Sequence, residues 1–193
     1  MATELNIVCV AVGQPSLLGT KPNGEKVYSS IAKEPVRQDE ILLTWTNLAG
    51  DQQVQTTPKV DGRQVHGGNE KAVYVYPAEH YLAWNAESES SLSPPDFGEN
   101  LSITDITEDD VHIGDRWLWG GTLLEVSVPR QPCLKLGMHL GTEYRKAMWD
   151  FGRCGWYMRV VDGPGFVPTH GVITVVHRAT DAPTVTEMFR VKE

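Results

Sequence analysis

Short apolar runs alternate with glycine- and proline-marked turns along most of this chain, and few stretches keep a helical period. "LNIVCVAVG" (5–13) is β-branched, ends on a glycine, and predicts a buried strand. "KVYSSI" (26–31) predicts a second strand after the Pro-Asn-Gly turn, and "DEILLTWTNLAGD" (39–51) a third. The polar stretch from Gln52 reads as a loop ending on Gly67-Gly68. Pro77 followed by Ala and Glu has the signature of a helix start, predicting a helix over 77–87. Residues 88–96 form a loop. From Asn100 to Pro129, Gly-Asp and Gly-Gly turns separate three strands, the strongest β signal in the chain. "TEYRKAMWDFGRCG" (142–155) predicts a helix with Thr142 as N-cap and Gly152 near its end. Strands in 155–167 and 171–179 close the pattern, and the last residues are too few for a domain of their own. Many short strands with few helices indicate a mainly β barrel or sandwich.

Composition narrows the function classes. A chain of 193 residues suits one domain and can bury a core without disulfides or a structural metal. Seventeen basic against 25 acidic residues give a net charge of −8, which disfavours general nucleic-acid or anionic-membrane binding. An anionic ligand must therefore find a local basic pocket. Three cysteines without a CxxC pair do not form a disulfide framework. With no basic region before the first apolar run and no span of membrane length, a cytoplasmic, reducing location is expected.

Three groups of residues carry candidate chemistry. Cys133 lies in "SVPRQPCLKLG" (127–137), with Pro129 and Pro132 stiffening the chain before it and Arg130 and Lys135 nearby. Nearby cations favour a thiolate, which serves as nucleophile, sulfur carrier or soft metal ligand, but on spacing alone the small buried hydrophobe, the commonest fate of a free cysteine, is the favoured reading. Cys9, inside an apolar strand, reads as that buried case, and Cys154 as intermediate. "GRQVHGG" (62–68) offers the Arg63 fork, the His66 ring and a Gly67-Gly68 backbone able to turn N–H groups toward an anion, or else a plain tight loop. In "DFGENL" (96–101), Asn100 reads as a turn cap and Glu99 as the partner of a basic neighbour rather than as a pocket wall. His80, His112, His139 and His170 lack zinc-ligand spacing, and "DRWLWGG" reads as barrel core.

Taken in order, "SSIAKEPV" (29–36), "NLAGDQQ" (47–53), "RQVHGGNEKAVYVYPAEHY" (63–81), "FGENLSITDITEDDVHIGDRW" (97–117), "VSVPRQPCLKL" (126–136) and "CGWYMRVVDGPGFV" (154–167) resemble the MOSC domain. That family is named for the C-terminal domain of molybdenum cofactor sulfurases, and the resemblance is greatest to its stand-alone bacterial YiiM-type branch. It implies a closed, twisted, pyruvate-kinase-like β-barrel with a few short flanking helices. One domain over 1–180 is expected, with 181–193 a short tail in place of the three-helix region usual in that branch. The loop "VQTTPKVDG" also looks longer than usual.

Cys133 matches the family's defining cysteine, which implies a molybdenum ligand. Lys33, Arg63, His66, Gly67, Gly68 and Arg130 fall where the phosphate of a molybdopterin is expected, and Lys135 and Arg159 join them on charge. The resemblance implies reduction of N-hydroxylated compounds, such as hydroxylated base analogues, in detoxification. No flavin, haem or iron–sulfur motif occurs, so a separate flavoprotein electron donor is expected. Two alternatives stand beside it: a sulfur carrier using a Cys133 persulfide, and a non-catalytic small-molecule binding barrel. The pyridoxal phosphate association attached to the family has no lysine here in a Schiff-base context.

Overall fold

A computed structural model describes residues 3–52, 67–88 and 90–191. The strands are β1 (Thr3–Val12), β2 (Ser16–Thr20), β3 (Lys26–Ser29), β4 (Glu34–Pro35), β5 (Glu40–Leu43), β6 (Val73–Pro77), β7 (Leu101–Ile103), β8 (Arg116–Trp119), β9 (Thr122–Pro129), β10 (Trp156–Asp162), β11 (Gly165–Pro168) and β12 (Val172–His177). The helices are α1 (Glu79–Ser88), α2 (Leu134–His139), α3 (Thr142–Phe151) and α4 (Val185–Arg190).

Strands β12, β8, β9, β10, β6, β7 and β1 pair in that order, and β1 returns to β12 to close the barrel. The expected closed β-barrel is therefore the fold. Only β6 and β7 run parallel in this ring, with α1 as their crossover. β4 extends the end of β1, β5 pairs with β11, and β2 with β3.

Alternation along each strand decides what enters the barrel. Val73, Val75, Trp117, Leu124, Val126, Trp156, Met158 and Val175 fill it, with the Trp117 and Trp156 rings edge to face at 5.8 Å. The tryptophans of "DRWLWGG" are thus core, as expected. The opposite parity of β6 and β10 puts Tyr74, Tyr76, Tyr157 and Arg159 on the outer face. Around Tyr76, the side chains of Tyr81 and Trp84 from α1 and of Phe97 form a packed aromatic cover.

Local details depart from the sequence reading in four places. Pro77 ends β6 rather than opening the helix, which starts at Glu79, because its parallel neighbour β7 extends the ladder to Pro77. Gly141, at φ 123°, is the N-cap of α3 in place of Thr142. Gly152 does end that helix, in the left-handed conformation with its N–H on the Met148 carbonyl. β2 and the six-residue α2 were not anticipated, both being too short to show a period.

The stretch expected as a tail carries α4. Thr184 and Glu187 form a reciprocal capping box there, and Val185 and Phe189 are buried, with Phe189 stacked on Trp149 at 4.9 Å. No helix among the described residues is long and apolar enough to cross a membrane.

Candidate functional site

Cys133 follows the Arg130–Pro132 run at the end of β9 and immediately precedes α2. It is half-buried, and its carbonyl accepts from the Leu136 N–H at 3.1 Å. The thiol is free. Arg130 lies on the outer face of the β9–β10 ribbon and is only 5% exposed. Its guanidinium sits 5.1 Å from the centre of the Tyr74 ring and donates to Met148 Sδ at 3.1 Å. Sulfur is a weak acceptor and a ring face a diffuse one. Among the described residues, Arg130 forms no ion pair with a carboxylate. Burial works against its charge, but the electron-rich groups of Tyr74, Tyr157 and Cys133 outweigh that and hold the guanidinium protonated. Among the described residues, the Met148 sulfur, the Tyr74 ring face and the Tyr157 hydroxyl are the groups set against this buried cation.

Lys135 joins this group. Burial lowers its pKa and the Cys133 thiol opposes the shift, so the two side chains share one electrostatic neighbourhood. Tyr157, on β10, stands 5.3 Å from Tyr74, and Lys71 lies 5.4 Å from its ring centre. Burial raises the Tyr157 hydroxyl above its ordinary range, while Arg130 pulls it back. The hydroxyl therefore keeps its proton at neutral pH.

Lys33 is buried on the other flank, ion-paired with the 2%-exposed Asp51. Burial depresses the lysine and Asp51 offsets part of that effect. Asp51 also accepts from the Gly13 N–H at 2.7 Å and from Asn100 Nδ2 at 2.9 Å. Asn100 binds the Ala11 carbonyl at 3.1 Å and, through Oδ1, the Tyr74 N–H, also at 3.1 Å. It is thus a cross-strand bridge between β1 and β6 rather than the turn cap read from the sequence. A side chain at Gly13 would meet the Ser30 carbonyl at 2.2 Å, so the close approach of β1 to the Lys33 segment requires glycine.

Glu99 corrects a second sequence expectation. It is fully buried, and instead of a basic partner it accepts from the Tyr81 hydroxyl and Ser102 Oγ, both at 2.7 Å. Oε2 has no partner among the described residues. Burial raises its pKa and the two hydroxyls only moderate the rise. Burial and Glu99 together push the Cys9 thiol to about 11, and burial, with Glu108 beside it, raises Cys154 well above the ordinary thiol value. Neither thiol is poised for chemistry.

The structure therefore brings Cys133, Arg130 and Lys135 together, with Lys33 held beyond Asp51. Gly67 and Gly68 are half-buried at φ 72° and 85° ahead of the 3-10 turn Asn69–Lys71, which packs against β10. Arg159 is engaged elsewhere, by Glu125 and, at 2.7 Å, by Glu70. Arg63 and His66 lie outside the described residues, as does the stretch 54–62 that looked long. Sequence reasoning missed Asp51, Tyr74 and Tyr157. The motif "NLAGD" and the tyrosines of "VYVYP" and "GWYMR" were in view, but their meeting depends on long-range pairing.

The chain belongs to the MOSC domain family, whose model matches residues 62–174. Protein YiiM of Escherichia coli strain K12 is 39% identical over 157 residues, covering 79% of this chain and 66% of that protein. A protein of Gibberella moniliformis named "Reductase" is 34% identical over 143 residues, 72% of this chain but only 24% of its relative. The crystal structure of YiiM from Geobacillus stearothermophilus superposes with a TM-score of 0.74 at 27% identity, covering 97% of this chain and 83% of that one.

Proposed function

We propose that this MOSC protein is a molybdenum-cofactor-dependent reductase of N-hydroxylated compounds, hydroxylated base analogues among them, serving detoxification with a separate flavoprotein as electron source. The observation that carries the reading is the half-buried Cys133 thiol beside Arg130, a buried cation with no carboxylate partner among the described residues. The relative named "Reductase" supports the oxidoreductase class.

The residues present fit such a group. A cofactor phosphate needs a cation that is not already neutralised, and Arg130 meets that condition where Arg159 and Lys33 do not. Arg130 and Lys135, with the N–H groups of Gly67 and Gly68, would hold the phosphate, and the Cys133 sulfur would ligate the metal as a soft donor. The cofactor, when bound, supplies two-electron and oxygen-accepting chemistry that side chains lack. The chain itself contributes a fixed positive charge that cannot be discharged and, in Tyr157, a hydroxyl that keeps its proton for donation.

The test is anaerobic incubation with molybdenum cofactor, desalting, and molybdenum per chain for the wild type and Cys133→Ser. Stoichiometric metal that is lost in the variant supports the reading. Folded wild-type protein that retains no metal overturns it. A +32 mass adduct on Cys133 would then identify a sulfur carrier, and ligand binding indifferent to Cys133→Ser would identify a non-catalytic barrel.

A further inference from the structure

The turn Arg153–Gly155, between α3 and β10, is clamped from four sides. Tyr76 Oη donates to the Arg153 carbonyl at 3.2 Å, and Tyr74 Oη to the Cys154 carbonyl at 2.9 Å. The Gly155 N–H donates to Glu108 Oε1 at 2.6 Å, and the Gly155 carbonyl accepts from the Arg130 N–H at 3.1 Å. Gly155 has φ 65°, and a Cβ there would lie 2.3 Å from the Val75 carbonyl oxygen, so the turn has one shape. It fixes both the main chain of Arg130 and, through Tyr74, the ring on which the guanidinium rests.

Glu108 is the least expected member. It is buried in the connection between β7 and β8, where a carboxylate is costly unless its oxygens are well bonded. One oxygen takes the Gly155 N–H and the other meets His80 Nε2 of α1 at 2.6 Å. Its backbone carbonyl accepts from Thr186 N–H of α4 at 3.2 Å. A short, charge-assisted bond to a main-chain N–H is a strong way to fix a turn. Here the fixed turn is one hydrogen bond removed from the only cation described as buried beside Cys133.

We propose that Glu108, oriented by His80, is a positioning residue for Arg130. It holds the guanidinium where both the Cys133 thiol and an anion in front of it feel the charge. The proposal rests on Cys133 and Arg130 forming one site, as in the function proposed above, but needs no molybdenum to be tested.

The experiment compares alkylation of Cys133 by iodoacetate and by iodoacetamide, each followed by mass spectrometry of the Cys133 peptide. In both, the thiolate sulfur forms a bond to carbon, the carbon–iodine bond breaks and iodide leaves. Only the reagent's charge differs, so the ratio of rates reads the local positive charge. Global loosening of the fold would speed both reagents, whereas loss of the nearby charge slows iodoacetate more than iodoacetamide and speeds neither. Arg130→Gln should lower the ratio about tenfold, the scale of one unit charge at close range in a partly buried site. Glu108→Ala should lower it about threefold or more. Glu108→Gln, which keeps an oxygen for the Gly155 N–H, should stay within about twofold of wild type. A wild-type ratio in Glu108→Ala overturns the proposal, and so does a Glu108→Gln ratio as low as that of Glu108→Ala. Should Glu108→Ala not fold by circular dichroism, His80→Ala takes its place: a lowered ratio supports the proposal and an unchanged one overturns it. Failure of molybdenum loading leaves all these ratios untouched, so the two readings fail separately.

Discussion

Arg130 and Arg159 stand on the outer face of the same β9–β10 ribbon, a few residues apart, and do opposite things. Arg159 is open to solvent, its side chain 39% exposed, and is gripped by Glu125 and Glu70, with Arg116 sharing Glu125 from β8. Arg130 is buried among Tyr74, Tyr157 and Met148 without a carboxylate among the described residues. The first arrangement neutralises charge in water, where it matters little. The second keeps charge unneutralised in a place where it matters much. A basic residue is thus informative about a ligand only when its partners are known.

The largest expected effect follows from the tyrosines on the Arg130 side. Burial raises the hydroxyls of Tyr74, Tyr76, Tyr81 and Tyr157 above the ordinary value of 10.0. Above pH 10 the unfolded chain releases these protons while the native state keeps them, so the native state binds more protons and stability falls as pH rises. Each tyrosine contributes about 1.4 kcal/mol of loss per pH unit in that range. Lys33, depressed by burial, works in the opposite direction below its ordinary 10.5, but it is one group against four. Urea midpoints at pH 8, 9.5 and 11 should drop steeply over the last interval, and a flat profile would break the contrast between the two sides.

Next in size, Asp51→Ala should cost about 3–5 kcal/mol, because it strands Lys33 as an unpaired buried cation. Chemical denaturation measures this directly. Arg130→Met sharpens the comparison further. Replacing a buried guanidinium that has no carboxylate partner among the described residues by an apolar chain of similar length should leave stability unchanged or raise it by up to about 2 kcal/mol, while molybdenum retention is lost. The smallest effect belongs to Arg159→Ala, below about 1 kcal/mol and shrinking with added salt, with molybdenum retention unaffected. If Arg130→Met and Arg159→Ala behaved alike in both measurements, the distinction drawn between the two arginines would be void.

The barrel was legible in the sequence because its signals are local: alternation, glycine turns, and tryptophans at inward parity in β8. Cys133 with Arg130 and Lys135 was legible because the three are neighbours in the chain. The rest of the site was not, since Asp51, Asn100, Tyr74 and Tyr157 meet only through pairings among β1, β6, β7 and β10. Asn100 shows the difficulty well. As one residue of "DFGENL" it suits a turn, and only long-range pairing gives it Ala11 of β1, Asp51 and Tyr74 of β6 as partners. Glu108 was invisible for the same reason, its two oxygens being bonded by residues of α1 and of the turn before β10. Arg159 illustrates the converse, for counting charges could not reveal Glu125 opposite it in the neighbouring strand.

The strand that closes the barrel has a consequence for how the chain is made. β1 precedes every other strand described, yet its Thr3–Asn6 segment pairs with Val172–Val175 of the last one, β12. Its other partners, β4 and β7, engage only the second half of the strand. Until β12 has been made, the Thr3–Asn6 segment carries unpaired main-chain groups and the inward Leu5, and unpaired strand edges are where growing chains adhere to one another. Ring closure needs a contact of large sequence separation, the kind that forms slowly, and it is governed by the encounter of β1 with β12. Until it happens, a nascent molecule offers its neighbours a strand they can borrow.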